Sequence, residues 1–181
     1  MMKQAIDLTD LWPQTLYALE HGGVLLAVAG KDGKQNVMTI GWGAVGNMWG
    51  KRIFIVMVRP SRYTYELIED ADDFTVNVMP ADKSKTVKFC GVASGRDTDK
   101  LMACELTTSP GQAVQAPVIN EGIIHYECRI LHKNDVDPDA MAAVARACYP
   151  QGDYHRLYYG EVVAAYADPD ARERAAGPRS A

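Results

Sequence analysis

Residues 58–68 read VRPSRYTYELI, and this stretch joins an apolar run to the start of a helix. The run before it, Ile53–Val58, holds six apolar residues in succession, which is typical of a buried strand. Ser61 is a favourable N-cap residue, and Pro60 fixes the backbone beside it. The pattern therefore predicts a helix over 63–70, entered through a capped turn.

The same stretch carries more charge than a capped turn requires. Arg59 and Arg62 flank the turn, and their like charges repel each other unless an anion lies between them. The hydroxyls of Ser61 and Thr64, with the arginines, are groups that bind phosphate well. From these residues alone, two interpretations stay open: a capped turn with solvated arginines, and a phosphate site.

Composition limits the class of protein. The chain has 181 residues, of which 48% are hydrophobic and 23% charged, as expected for one soluble domain. Its net charge of −4 argues against nucleic-acid binding, and no apolar run reaches the roughly 18 residues that a membrane span needs. The start, MMKQAIDLTD, lacks a secretory pattern. We therefore expect a cytoplasmic protein without a membrane span.

The side chains that most often carry catalysis or bind metals do not form a recognisable site. His125, Cys128 and His132 are close in sequence, but alternation along a strand would send His125 to one face and the other two to the opposite face. Cys90 lacks the cationic surroundings of a reactive thiolate. We expect no metal site and no catalytic nucleophile. We expect reduced thiols at the four widely spaced cysteines, Cys90, Cys104, Cys128 and Cys148.

Hydrophobic periodicity predicts about six strands and few helices. The expected strands are 22–30, 35–45 (bent at Gly41 and Gly43), 52–58, 73–79, 119–131 and 154–167. The expected helices lie within 1–20 (capped by Asp7 or Thr9), 63–70, 82–92, 94–106 and 141–149. The continuous apolar run in 52–58 predicts a strand covered on both faces. Since strands and helices do not alternate regularly, we expect a mainly β, antiparallel barrel with peripheral helices.

Four stretches together resemble one family, the flavin reductase-like proteins with an FMN-binding split β-barrel, flavoredoxin among them. They are NVMTIGWG (36–43), VRPSRYTYELI (58–68), CGVASGRDTDK (90–100) and YHRLYYGEV (154–162). The resemblance covers about 20–166, and leaves 1–19 as an N-terminal extension and 167–181 as a C-terminal tail. It implies a Greek-key antiparallel split barrel that binds FMN.

The resemblance also implies a set of cofactor-binding residues. In the family, the strand that matches 36–42 lies along the flavin. Asn36 and the main chain of Met38 and Thr39 would then meet the polar edge of the isoalloxazine, with Trp42 packing nearby. The full set is Asn36, Met38, Thr39, Trp42, Arg59, Ser61, Arg62, Thr64, Ser94, Gly95, Arg96, Lys100 and His155.

The other implied contacts concern the phosphate and the far side of the flavin. The helix entrance over 61–64 would hold the FMN phosphate, with Arg59 or Arg62 adding charge, and the choice between the two arginines stays open. Lys100 would reach the cofactor, and 94–96 would shape the loop beside it. His155 would contact the flavin, reaching it across a dimer interface.

Family members are homodimers with FMN sites at the interface, so the resemblance implies a homodimer. The apolar and aromatic residues in YHRLYY (154–159) would suit such a surface. The segment 136–153 is longer than its counterpart in the compact flavoredoxins, and its role is open.

The implied function is hydride transfer from NAD(P)H, as co-substrate, to FMN, in an NAD(P)H:flavin oxidoreductase. Two alternatives remain: a flavoredoxin-like electron carrier that serves a redox protein or a monooxygenase, and an FMN-binding module without turnover. The sequence has no dedicated motif for a nicotinamide nucleotide, so it does not choose between NADH and NADPH.

Overall fold

The computed structural model describes residues 2–175, which form ten strands and six α-helices. The strands are β1 Gln4–Ala5, β2 Val24–Ala29, β3 Gln35–Ile40, β4 Gly43–Met48, β5 Lys51–Val58, β6 Asp73–Val78, β7 Thr108–Pro110, β8 Pro117–Ile119, β9 Ile124–Asp135 and β10 Arg156–Ala167. The helices are α1 Trp12–His21, α2 Tyr63–Glu69, α3 Ser84–Val92, α4 Lys100–Ala103, α5 Ala143–Arg146 and α6 Ala171–Arg174.

Eight of the strands form one sheet in which every pairing is antiparallel. Its order is β3-β2-β6-β9-β10-β5-β4, with β1 pairing the end of β10, while β7 and β8 pair separately. The two long strands β9 and β10 lie side by side at the centre, and the hairpins β2–β3 and β4–β5 end the sheet on either side. The expected mainly β, antiparallel architecture with peripheral helices is confirmed.

The main core is filled from one face of this curved sheet, and a smaller cluster that includes Leu25 and Val87 packs on the other face beside α3. On β5, Phe54 and Val56 are fully buried, and they pack in one cluster with Phe74 and Tyr126. The alternate residues Ile55 and Met57 face the other way and are only half-buried. The expectation that this strand is covered on both faces therefore holds at Ile53, which is fully buried on the outward face, but not at Ile55 and Met57, which remain partly accessible.

The expected strand 35–45 is divided in the structure. β3 ends at Ile40 and β4 begins at Gly43, and these two strands lie at opposite ends of the sheet order. A Cβ at Gly43 would lie 2.9 Å from the carbonyl oxygen of Ile55, so a glycine allows the close approach at which the chain changes neighbours. The expected strand 119–131 is likewise divided, into β8 and β9.

The N-terminal segment packs on the barrel, but not through the expected cap. The N-cap residue of α1 is Leu11, and a proline in the first turn, Pro13, favours the helix start. Asp7 instead accepts a hydrogen bond from the main-chain N–H of Thr9, in a turn before the helix. Both expected caps were wrong, because local turn bonds use these side chains.

The ends of the chain add one short strand and one short helix. β1 pairs with β10, and α6 follows β10, while residues 176–181 of the expected tail lie outside the described part of the chain. The division into 1–19, 20–166 and 167–181 stays a prediction. Within residues 2–175, no helix has both the length and the apolar character needed to span a membrane.

Candidate functional site

Three adjoining cavities follow β3 and form one groove, which we call the β3 cleft. The outer cavity, of about 480 Å³, shares Asn36 and Lys100 with a middle cavity of about 150 Å³. The middle cavity shares Met38 and Arg62 with an inner cavity of about 170 Å³. Each of the thirteen residues expected at a cofactor site lines at least one of them: Asn36, Met38, Thr39, Trp42, Arg59, Ser61, Arg62, Thr64, Ser94, Gly95, Arg96, Lys100 and His155.

The entrance of α2 differs from the expected capped turn. Arg62 is the N-cap residue, and no side chain makes a capping hydrogen bond there. Ser61, the expected cap, instead binds a carboxylate from a distant segment. Its hydroxyl donates to Asp153 Oδ2 at 2.6 Å, and its main-chain N–H donates to Oδ1 at 3.2 Å. Two donors expected to bind a phosphate therefore already have an anionic partner.

Arg59 is fixed by the same segment. Its guanidinium donates to the main-chain carbonyls of Asp153, at 3.2 Å, and of Cys148, at 3.4 Å. It also lies over the ring of Tyr149, 4.8 Å from the centroid. Arg59 therefore holds residues 148–153 against the inner end of the cleft.

The other two arginines of the cleft differ from each other. Arg96 donates to the main-chain carbonyl of Ser61 at 3.1 Å and forms an ion pair with Glu66. Arg62 lines both the middle and the inner cavity, and its guanidinium makes no hydrogen bond or ion pair with any residue in 2–175. Arg62 is thus the arginine with its full donor capacity available to a ligand.

Lys100 brings a second cation to the middle cavity. Its side chain is buried, with 5% of the residue exposed, and its ammonium group donates to the main-chain carbonyl of Cys90 at 3.2 Å. Burial lowers the pKa of Lys100, and the nearby charge of Arg62 lowers it further, while the Cys90 thiol acts in the opposite direction. The groups that act on the pKa of Lys100 include no carboxylate, and its ammonium group forms no ion pair within residues 2–175.

Asn36 and the loop after α3 shape the space between these cations and β3. Asn36 is buried, and its amide donates to the Thr64 hydroxyl at 2.7 Å. A Cβ at position 95 would lie 2.3 Å from Asn36 Oδ1, so only glycine lets the loop approach this closely. Ser94 begins the turn by accepting the main-chain N–H of Arg96 at 3.2 Å.

The inner cavity carries an aromatic and imidazole cluster. His155 is only 9% exposed, its ring lies 5.0 Å from that of Trp42, and its Nδ1 lies 2.8 Å from the Tyr149 hydroxyl. Burial, followed by the charge of Arg59, lowers the pKa of His155 to about 4, so the imidazole is neutral at physiological pH. His155 and Trp42 line the same cleft of one chain, and the expected reach of this histidine across a dimer interface stays a prediction.

Sequence reasoning missed Tyr149 and Asp153. Both belong to the segment 136–153, which stood out only by its length. Asp153 reaches Ser61 across 92 positions of sequence, and no local pattern signals such a contact.

Comparison with known proteins decides the family. Residues 17–177 match the family described as "Flavin reductase like domain". The chain belongs to the flavin reductase-like family. Its fold is accordingly the split β-barrel expected from the sequence.

Individual relatives of this flavin reductase-like chain agree with the assignment. An uncharacterised protein of Archaeoglobus fulgidus is 30% identical over 138 residues, which is 76% of this chain and 68% of that protein. Flavoredoxin from Methanosarcina acetivorans superposes with a TM-score of 0.63 at 26% identity, covering 94% of this chain and 77% of its own. Nitrilotriacetate monooxygenase component B from Bacillus cereus has a TM-score of 0.65 at 12% identity, with coverages of 93% and 83%, which shows a common fold.

In this flavin reductase-like chain Cys90 and Cys128 are buried, Cys104 is partly buried and Cys148 is exposed. Cys90 lines the middle cavity, but burial raises the pKa of its thiol to about 12. His125 is buried against Asn77 and Gly122, while His132 packs at the surface against Trp49. No group of three or more His, Cys, Asp or Glu residues within 2–175 is placed to hold a metal ion.

Proposed function

We propose that the β3 cleft binds FMN and that the protein is an NAD(P)H:flavin oxidoreductase. The observation that carries the proposal is the pair of Arg62 and Lys100, two cations that line the middle cavity without an anionic partner among residues 2–175. A phosphate dianion between them would relieve their repulsion and accept charge-assisted hydrogen bonds from both.

The residues around this pair fit a flavin mononucleotide. The cleft continues from the two cations along β3 to Trp42 and His155, so a phosphate at one point leaves room for a ring system beyond it. Because Gly95 has no side chain, its loop can lie directly against Asn36 in the wall of the cleft. Arg59 is engaged by residues 148–153, so we assign the phosphate to Arg62 with Lys100.

The chain itself would bind and orient the cofactor. Asn36 and the main chain of Met38 and Thr39 would meet the polar edge of the ring, with Trp42 packing beside it. His155 is neutral, so it would contribute an N–H group and no net charge at the ring. Bound FMN supplies the hydride-accepting chemistry, and NAD(P)H would be the co-substrate.

An electron-carrier function is the second candidate. The 26% identity with a flavoredoxin favours a chain that keeps FMN bound and exchanges electrons with a protein. The likeness in fold to a monooxygenase component B makes a monooxygenase the partner to test first. An FMN-binding module without turnover is the third alternative.

The binding part is tested with FMN and riboflavin, which lacks the phosphate. Arg62→Ala should weaken FMN binding by about 1–3 kcal/mol, the value of a charged hydrogen bond, and leave riboflavin affinity unchanged. Arg62→Lys, which keeps the charge, should lose less FMN affinity than Arg62→Ala. Calorimetric titration measures the affinities of the wild type and of both variants. Unchanged FMN affinity in Arg62→Ala, or an equal loss for riboflavin, would contradict the assigned phosphate site.

The redox part is tested by anaerobic titration of the FMN-loaded protein with NADH and NADPH. Loss of the oxidised flavin absorbance on addition of either nucleotide supports the oxidoreductase. Bleaching only by a reduced protein donor would select the carrier, and resistance to both would select the binding module.

We further propose a homodimer with the FMN sites at its interface. The half-buried row on β5 continues on β10, where Leu157 pairs with Met57 and Tyr159 with Ile55. Trp49, which is 62% exposed, extends this apolar face beside Tyr159. Light scattering with size-exclusion chromatography measures the mass, and Tyr159→Glu should produce monomers. A wild-type monomer would overturn this proposal and leave the cleft assignment to its own tests.

We also propose a cytoplasmic location. The four cysteines are free in the structure, which suits a reducing compartment. Fractionation of cells that express the chain, probed with an antibody against it, measures the location directly.

A further inference from the structure

Tyr149 is held rigidly beside His155 by packing on several sides. Only 6% of the residue is exposed, and its ring meets that of Trp42 edge-on at 5.9 Å. The guanidinium of Arg59 covers its face at 4.8 Å, and Tyr154 lies 4.9 Å away on another side. The phenol therefore has a fixed position, with its oxygen 2.8 Å from His155 Nδ1.

The direction of that hydrogen bond follows from the donors available. Among residues 2–175, His155 Nδ1 is the one atom within hydrogen-bond distance of the phenol oxygen. If Nδ1 donated to the phenol oxygen, the buried phenol hydrogen would have no acceptor among these residues, and a buried unpaired donor is costly. His155 Nδ1 is the acceptor within reach.

A neutral imidazole carries one donor and one acceptor nitrogen. If Nδ1 accepts from Tyr149, the ring proton lies on Nε2. Nε2 of His155 makes no hydrogen bond to any residue in 2–175, and the ring lines the inner cavity of the β3 cleft. The charged groups that face this ring are Arg59 and Arg62, which disfavour its protonation, and Asp153, which favours it.

We propose that Tyr149 is a positioning residue that holds His155 in the Nε2–H tautomer and directs this N–H into the β3 cleft, where it donates to an acceptor atom of the flavin ring. The contact with the ring rests on the proposed function, whereas the tautomer does not. The proposal also gives the segment 136–153 a role, because it supplies the tyrosine that sets the state of a cleft residue.

The tautomer is read directly in the protein without FMN by long-range ¹H–¹⁵N NMR of the imidazole. We expect an Nε2–H signature for wild-type His155. Tyr149→Phe keeps the ring against Trp42 and Arg59 but removes the hydroxyl, and should give a mixture of tautomers. Tyr154→Phe, a neighbour without a bond to the imidazole, should resemble wild type. An Nδ1–H signature in wild type, or an unchanged spectrum in Tyr149→Phe, would overturn the proposal.

The contact between His155 and the flavin ring is tested by comparing the affinities for FMN and for riboflavin. Since His155 would meet the ring, Tyr149→Phe should weaken FMN and riboflavin equally, by about three- to tenfold. Arg62→Ala should affect FMN alone, so the two variants separate the ring end of the cleft from the phosphate end. Wild-type protein that binds neither flavin would refute the proposed function and leave the tautomer result standing. Unchanged affinities in Tyr149→Phe would overturn the flavin contact.

Discussion

At the scale of single residues, Asp153 is the group that most changes the interpretation of the cleft. Its carboxylate binds both donors of Ser61 and so takes a place that the sequence suggested for a phosphate. The residue has a φ of 58°, in the left-handed region that non-glycine residues seldom adopt. This carboxylate, bound to Ser61 next to Arg62 in sequence, would repel a phosphate held at the entrance of α2.

Replacing this charge should strengthen FMN binding. Asp153→Asn keeps the size of the side chain and tolerates the left-handed backbone, but removes the repulsion between a carboxylate and the ligand phosphate. We expect FMN affinity to rise by about two- to tenfold, with riboflavin affinity unchanged, as measured by fluorescence titration. Asp139→Asn, an exposed change in the same segment, is the control. Weaker FMN binding in Asp153→Asn would mean that anchoring of residues 148–153 dominates.

Site residues that lie in a local motif could be predicted from the sequence, whereas residues that act through a distant tertiary contact could not. Asn36 and Lys100 lie in stretches whose local motifs carry the family resemblance, and the fold brings them to one cleft. The expected cap at Ser61 was wrong because a carboxylate distant in sequence competes for its hydroxyl. Tyr149 was missed for the same reason: its importance lies in a tertiary contact that no local pattern encodes.

At the scale of elements, buried or partly buried carboxylates secure the loop before β8. Glu127, fully buried on β9, accepts the main-chain N–H groups of Gln112 at 2.8 Å and Ala113 at 2.6 Å. Asp73 does the same for Gln115 and Ala116. Two strands of the central sheet thereby hold a loop whose main-chain donors would otherwise lack partners.

Glu127→Gln tests this anchoring. The amide can accept one N–H but turns its own N–H₂ toward the other, so a buried donor loses its partner. We expect a loss of about 2–3 kcal/mol in the free energy of unfolding, measured by urea denaturation. Asp73→Asn, at a less buried position, should lower the free energy of unfolding by less than Glu127→Gln does. Equal or negligible losses would show that other contacts hold the loop.

Element prediction succeeded where periodicity was local. The alternation in 73–79 gave β6 and the pattern after Arg62 gave α2. It failed at 35–45, because the break after Ile40 sends β3 and β4 to opposite ends of the sheet, and hydrophobicity does not record which strand a residue pairs with. The short strands β1, β7 and β8 have too few residues to show a period.

At the scale of the whole molecule, buried neutral imidazoles link stability to pH. The pKa of His155 is about 4 in the folded chain, against 6.5 for the unperturbed group, so the unfolded chain binds more protons between these values. The contribution to stability is complete above pH 6.5 and is lost as the pH falls toward 4.

Urea unfolding of the protein without FMN tests this dependence. Between about pH 7.5 and about pH 5, His155 should account for a loss of about 2 kcal/mol. His155→Asn should remove this contribution to the change in unfolding free energy with pH, while His21→Asn, at an exposed position on α1, should keep it. A wild-type slope in His155→Asn would show that this imidazole is not the group responsible.

The central place of β9 and β10 has a consequence for synthesis on the ribosome. The strands made first form two separate groups, β3-β2-β6 and β5-β4, which have no pairing with each other. Only β9 against β6, and then β10 against β9 and β5, joins them. A nascent chain that ends before Arg156 therefore carries two half-sheets with open edges and apolar faces, and the barrel forms late, when the last long strand leaves the exit tunnel.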